Sequence, residues 1–370
     1  MGNPRREKGG VILQTFSQYP RIFFGSGALD QLTQCRAQSV LVVTDRFFSE
    51  NGTAQAVGAR VPGAEVTVFG GVTPDPPVAV VAAGAAVLAR CRPQALIALG
   101  GGSVLDCAKA MLYLQDLRPL FVAVPTTSGS GSEVTGFSIL THGGVKHPLV
   151  DDALRPDWAI LDASLLTTLP PGLIAETGMD AVCHSLEAAA ARGASPLSDA
   201  LAYHAFVLCL AHLPASYRGD TAVRGEVHLA AAMAGMAFDH AGLGLCHALA
   251  HALGGRFHTA HGRLGGVLLP GVLAYNGEAC APRYAALARS AGLGAATDRL
   301  SLRNLIAAVC RLRDALGLPA TLSQAGIARE ELTAALDGLV QAALSDPCAA
   351  SNPREAGAED LKTILRRCMI

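Results

Sequence analysis

ALIALGGGSVLDCAK, residues 95–109, decides how the first half of this chain folds. Five apolar residues run into three glycines, and a helix-forming segment follows. A short, continuous apolar run suits a parallel strand buried on both faces. Gly100, Gly101 and Gly102 permit a tight turn and close backbone approach to a ligand. Ser103 is placed to cap the next helix, whose first amides would face a phosphate. Glycine triplets are common in strand-to-helix turns, and this one departs from G-x-G-x-x-G, so it does not establish a nucleotide site by itself.

The same texture extends from about residue 21 to 165. Apolar runs at 39–43 (SVLVV), 65–69 (EVTVF), 120–124 (LFVAV) and 158–161 (WAIL) alternate with Ala-rich helical segments such as 77–91 and 103–114. This alternation predicts an α/β domain over 1–166, a doubly wound, Rossmann-like parallel sheet. After Pro170-Pro171, Ala, Leu and His dominate and strand signals disappear. Helical periods cover 174–191, 195–213, 222–238, 243–253, 278–291, 301–316, 328–343 and 357–367. They predict an all-α domain over 167–370.

Composition narrows the function. The 370 residues are 51% hydrophobic and 16% charged, with a formal net charge of −1. Such a chain builds sizeable cores and shows no basic excess for nucleic acid or an anionic membrane. The ten cysteines include no C-x-x-C pair and read as buried small hydrophobes in a reduced, cytoplasmic protein. The opening MGNPRREKGG lacks a signal-peptide core, has Arg at position 6 against the myristoylation pattern, and reads as a flexible tail. Outside the Ala-rich helical stretches, no apolar run suggests a membrane span.

A second polar turn, PTTSGSGSEVT (125–135), follows the run LFVAV. Two Gly- and hydroxyl-rich loops at the carboxyl ends of neighbouring parallel strands stand where α/β sheets bind ligands. Asp45, after SVLVVT, can accept hydrogen bonds from a ribose diol and would repel a 2′-phosphate, which favours NAD over NADP. It reads equally well as a simple turn or cap residue.

The helical half holds a different signal in GMDAVCHSLEA (178–188) and GLCHALAHALGGRFHTAHG (244–262). Asp180 and His184 are spaced i, i+4 and share one helix face. His247 opens an apolar helical stretch, and His261 follows its Gly254-Gly255 break. One carboxylate and three imidazoles are a transition-metal donor set, if the two segments meet. The donors suit Fe(II) or Zn(II), and intrinsic affinity favours zinc. Cys183 and Cys246 adjoin these residues but point about 100° away on a helix.

Together, GGGSVLDCAK, PTTSGSGSEVT, LRPDWAILDASLLTTLPP, GMDAVCHSLEA, MAGMAFDHAGLGLCHALAHALGG and HGRLGGVLLP resemble the iron-containing (group III) alcohol dehydrogenases over nearly the whole chain. TPDPP (73–77), AGMAFDHAGLGLCHALAH (234–251) and SNPRE (351–355) are similar to the propanol and alcohol dehydrogenases of propanediol- and ethanolamine-utilisation microcompartments. The resemblance implies an iron-dependent dehydrogenase that reduces propionaldehyde or acetaldehyde with NADH and regenerates NAD+. A relative of the same fold acting on glycerol or another polyol is the alternative.

By matching positions, Asp180, His184, His247 and His261 are the implied Fe2+ ligands, with Zn2+ as the alternative ion. Gly101, Gly102, Ser103 and Asp106 match the pyrophosphate loop, and Thr126, Thr127, Ser130 and Thr135 match further NAD(H) contacts. Lys146 matches a lysine near the nicotinamide ribose, His251 a proton-relay histidine, and Phe238 a substrate-pocket residue. The usual GTGSE stands here as GSGSE, and the usual HGxxNA as HGRLGG, with Arg263 and Gly265. A homo-oligomer, a cytoplasmic or microcompartment location, and a shell protein as partner are further implications.

Overall fold

A computed structural model describes residues 16–17, 20–115, 117–143 and 145–369. The expected tail over 1–10 lies outside the described residues. Among the described residues eight strands are present: β1 (Arg21–Phe24), β2 (Ser39–Asp45), β3 (Glu65–Val72), β4 (Ala95–Gly100), β5 (Leu120–Pro125), β6 (Phe137–His142), β7 (Val145–Val150) and β8 (Trp158–Leu161). Between them lie α1 (Arg46–Glu50), α2 (Thr53–Gly58), α3 (Val78–Cys91) and α4 (Gly102–Tyr113). Six strands form a parallel sheet in the order β1-β8-β5-β4-β2-β3.

β4 occupies the middle, and all six of its residues are buried. The two-residue period of a strand explains why it has no polar face. Leu96 and Ala98 join Leu105 and Met111 of α4 on one side, while Ile97 and Leu99 join Ala54 and Val57 of α2 on the other. Each fully buried leucine contributes about 1.5–3 kcal/mol relative to exposure. The resulting order puts the carboxyl ends of β4 and β5, and the loops after them, side by side.

Two features depart from the expected strand set. RIFF forms the edge strand β1, paired with β8. FSILTH and VKHPLV form an antiparallel hairpin, β6-β7, apart from the main sheet.

Helices follow: α5 (Pro171–Ala190), α6 (Pro196–Tyr217), α7 (Arg224–Ala241), α8 (Leu245–Phe257), α9 (His261–Ser290), α10 (Asp298–Ala315), α11 (Arg329–Ser345), α12 (Pro347–Ser351) and α13 (Ala358–Arg367). Fourteen residues of α5 are buried, making it the axis around which α6, α7 and α9 pack. α6 has the length and composition to cross a bilayer, yet here it lies against α5 and α7.

Two boundaries differ from expectation. α8 runs through Gly254 and Gly255 and stops at His258, which adopts φ 55°. α9 begins at His261 and bends at Cys280, two residues before Pro282, whose missing amide and bulky ring disturb a helix.

Side-chain bonds join the halves. Asp239 on α7 accepts from the Gly136 amide at 3.1 Å and pairs with Arg155. Ser128 and His228 meet at 3.0 Å between their Oγ and Nδ1 atoms. The loop after β5 and the segments flanking the β6-β7 hairpin are thereby held against α7.

Candidate metal and dinucleotide site

The i, i+4 spacing on α5 directs Asp180 and His184 the same way, and the start of α8 delivers His247 beside them. One donor atom from each of the three lies within 4.8 Å of the other two. His247 Nε2 is 3.7 Å from Asp180 Oδ1, and the His184 and His247 rings stack at 4.6 Å with a 14° interplanar angle. His261, at the first turn of α9, stands a step farther out, with its ring 6.5 Å from that of His247.

The outward nitrogen of each inner histidine is already committed. His184 Nδ1 donates to the Gly129 carbonyl at 3.2 Å, and His247 Nδ1 to Glu187 Oε2 at 2.5 Å. Carbonyls and carboxylates only accept, so both Nε2 lone pairs are left for another partner. Glu187 also accepts from the Cys246 and His247 amides, while Asn352 Oδ1 accepts from the Leu245 amide. These bonds satisfy the exposed first amides of α8 and fix the position of His247.

The electrostatics favour a cation. Burial opposes ionisation of Asp180, but His184, then His247 and His261, hold its carboxyl well below the usual range. Burial lowers His184 to about 4. Burial also opposes charge on His247, yet bonds to Asp180 and Glu187 override it and raise the imidazole well above its ordinary value. Two carboxylates thus flank this imidazole, and their negative charge is what a divalent cation would balance. Donors around an ion with bonds of about 2.1 Å lie about 3.4 Å apart, so modest contraction of the cluster suffices. The residues fit a transition metal of borderline softness, and Asp180, His184, His247 and His261 are the groups to hold it.

The two glycine-rich loops touch each other. A Cβ added at Gly102 would come within 2.9 Å of Ser130 Cβ, so glycine permits this approach. The capping role expected of Ser103 is corrected. Gly101 occupies the cap position of α4, whereas Ser103 lies inside the first turn and its hydroxyl accepts from the Asp75 amide at 3.2 Å. Asp106 accepts from Ser132 Oγ at 2.7 Å and from the Ile139 amide at 3.1 Å, so its visible work is to brace the second loop and the hairpin.

Thr126 is 4% exposed, and its amide donates to Gly100, tying the loops together. Thr127 and Ser130 sit opposite Gly101 and Gly102. Thr135 is enclosed, and its carbonyl accepts from Lys109 Nζ at 2.8 Å. Burial lowers Lys109 to about 8, partly offset by Asp106, Glu133 and Asp239. Asp45 closes β2 and caps α1 by accepting from the Phe48 amide at 3.1 Å. Lys146 is a β7 position paired with Thr141, and its side chain lies outside the described residues.

Phe238 on α7 is buried, with its ring 4.5 Å from His184 and 6.0 Å from Phe137. His251, one turn beyond His247, has its ring 4.8 Å from His261, and its Nδ1 donates to Asp346 Oδ2 at 2.8 Å. Both unusual residues after His261 have local reasons. A Cβ at Gly265 would meet Cys183 Sγ at 2.6 Å, and Arg263 pairs with Glu176 at 2.7 Å.

Reading the sequence alone missed Glu187 and Asp346. Glu187 carried a usable signal, because it lies seven residues after Asp180 and shares its helix face. Asp346 carried none, being 95 residues from its partner.

Residues 20–163 match the family described as iron-containing alcohol dehydrogenase, and residues 174–369 its C-terminal region. The chain is 37% identical to the 1-propanol dehydrogenase PduQ of Salmonella typhimurium, with 96% of this chain and all of that protein covered. It is 36% identical to an NADPH-dependent butanol dehydrogenase of Clostridium saccharobutylicum, covering 93% and 95% of the two chains. A sulfoacetaldehyde reductase from Bifidobacterium kashiwanohense in complex with NAD+ superposes with a TM-score of 0.87 at 28% identity, over 97% of this chain and 99% of that one. The chain is an alcohol-aldehyde oxidoreductase and belongs to the iron-containing alcohol dehydrogenase family.

Proposed function

We propose that this enzyme reduces short-chain aldehydes, propionaldehyde or acetaldehyde, to primary alcohols with NADH, and so regenerates NAD+. The carrying observation is the inward convergence of Asp180, His184 and His247 beside the loops 100–103 and 126–130. Fe(II) held there, with zinc as the alternative, supplies Lewis acidity toward the substrate oxygen, and the nicotinamide supplies hydride. The chain's part is to fix geometry. Gly129 and Glu187 aim two imidazoles, the paired loops present backbone to the pyrophosphate, and Phe238 with Phe137 excludes water beside His184. That apolar wall favours a small alkyl aldehyde over glycerol or another polyol, whose hydroxyls would lose water there without gaining partners.

Asp45 supports NADH over NADPH, because a 2′-phosphate beside its carboxylate would be repelled. His251 is read as the proton carrier for the product oxygen. A homo-oligomeric state, a microcompartment location and a shell-protein partner are parts of the reading that rest on the resemblance alone. The central test is NADH oxidation with propionaldehyde after anaerobic Fe(II) loading, comparing the parent with an Asp180→Ala, His184→Ala variant. The variant should lose activity and bound metal together; equal rates would refute the metal reading. A zinc-loaded protein as active as the iron form would overturn the choice of iron.

A further inference from the structure

His251, Asp346 and Cys348 form a second cluster of donor atoms within 4.8 Å of one another. Their bonding separates two uses. His251 Nδ1 and Asp346 Oδ2 are spent on each other at 2.8 Å. Burial, followed by the charges of Asp346 and Glu187, raises the Cys348 thiol well above its ordinary value, so it stays protonated. Such a set is a poor second ion site and a good orienting pair.

We propose that Asp346 is the positioning residue for His251, fixing its ring and placing the Nδ1 proton on the carboxylate side so that Nε2 faces the reaction. The inference rests on reading His251 as the proton carrier. Three neighbouring imidazoles follow one rule here, each with Nδ1 on an oxygen: His184 on Gly129, His247 on Glu187 and His251 on Asp346. The first two thereby present Nε2 to the metal space. The His251 ring lies 6.1 Å from that of His247 and 4.8 Å from that of His261, and with Nδ1 on Asp346 its remaining nitrogen is Nε2.

Asp346 is itself well held. It is the cap residue of α12, its Oδ1 accepts from the Cys348 amide at 2.8 Å, and its side chain is 14% exposed. One carboxylate oxygen thus anchors the segment and the other anchors the imidazole. In the reductive direction the carbonyl carbon takes hydride from the nicotinamide, and the oxygen takes a proton from His251 Nε2. The neutral ring keeps Nδ1–H on Asp346, and a proton from water restores Nε2. The wrong tautomer would leave the proton on Nε2 after transfer, with the Nδ1 lone pair against the carboxylate, and break this cycle.

The two bonds of Asp346 allow a clean test. Asp346→Ser keeps a side-chain oxygen for the helix cap but cannot reach His251. Asp346→Asn keeps the shape, and its amide can turn N–H toward Nδ1 and favour the wrong tautomer. On the metal-loaded protein, both should lower kcat about 10- to 100-fold, in line with the worth of proton transfer by a positioned group. KM for aldehyde and for NADH should stay within about twofold, bound metal per chain should be unchanged, and the solvent deuterium isotope effect on kcat should rise. The serine variant should keep the parent's melting midpoint. If kcat stays within twofold in both variants while His251→Ala loses it, the dyad is refuted and the reading of His251 stands. If His251→Ala is also active, that reading falls first. Loss of metal or of melting midpoint in step with kcat would make Asp346 a structural prop and overturn the proposal.

Discussion

The sheet half and the helical half use their polar side chains in opposite ways. Around the loops after β4 and β5, Ser103, Asp106 and Lys109 are spent inside the half, on Asp75, on Ser132 and Ile139, and on Thr135 and Phe137, while Ser128 reaches across to His228. What these loops offer a ligand is braced backbone. In the helices, His184 and His247 are spent only on their outer nitrogens, and Asp180 faces them from within. One half recognises by shape and the other by donor atoms. Changes in the helices should therefore act on metal and turnover, and changes in the sheet half on stability and cofactor preference.

The largest effect should come from His247→Ala. A bound Lewis acid is worth several kcal/mol in the transition state, so kcat/KM should fall about 10³-fold with loss of bound metal. NADH affinity, followed by fluorescence, should move less than about twofold. A matching loss of NADH affinity would break the division between the halves.

Next in size is a stability effect in the sheet half. Burial pushes Glu133 up to about 7, opposed by its own backbone bond and by Lys109. The folded state then keeps a proton that the unfolded chain gives up near the ordinary carboxylate value. The stabilisation is full below that value and is lost as pH rises through about 7. Glu133→Gln removes this titration. Between pH 5 and 7.5 the parent should lose on the order of 2–3 kcal/mol relative to the variant in urea unfolding, a window set by the linkage between the two states. Parallel curves would show that Glu133 is ionised throughout.

How much of each half could be read in advance follows the same contrast. Strands buried on both faces, such as ALIAL and LFVAV, betray themselves by continuous apolar sequence. The edge strand RIFF and the hairpin strand VKHPLV lack that signature, with Arg21 and Phe24 exposed in the first and His147, Pro148 and Val150 in the second. Asp180 and His184 were legible because helical spacing is local. The third donor, His247, needed the packing of α8 on α5; Glu187 could have been read from its seven-residue offset from Asp180, whereas Asp346 became visible only through a contact 95 residues away. The Gly254-Gly255 pair misled because each glycine costs a helix only about 1 kcal/mol, which burial of Leu253 and its neighbours outweighs.

Glu187→Gln sharpens the helical side of the comparison. The amide can still meet the His247 ring but loses the charge that helps hold it. Outer carboxylate partners of metal-bound histidines typically contribute 10- to 100-fold in affinity. Metal affinity, read by chelator competition, should fall within about that range, and activity at saturating metal should largely return. Unchanged metal affinity would leave Glu187 as a cap for α8 alone.

The smallest effect should arise at Asp45, the one sheet-half residue argued to recognise by charge rather than by shape. Its Oδ1 is committed to the Phe48 amide, a neutral task that asparagine can perform equally well. Asp45→Asn therefore keeps the cap of α1 and removes only the repulsion toward a 2′-phosphate. A partly exposed charge pair in water is worth about 1 kcal/mol, so the ratio of kcat/KM for NADH over NADPH should fall about fivefold. Most of the change should come from a lower KM for NADPH, with kcat for NADH unchanged. A fall in kcat for both cofactors would show that Asp45 acts through the fold of the β2 terminus. An unchanged ratio would mean that cofactor choice, like the rest of this half, is made by backbone shape, and the division between the halves would then hold without exception.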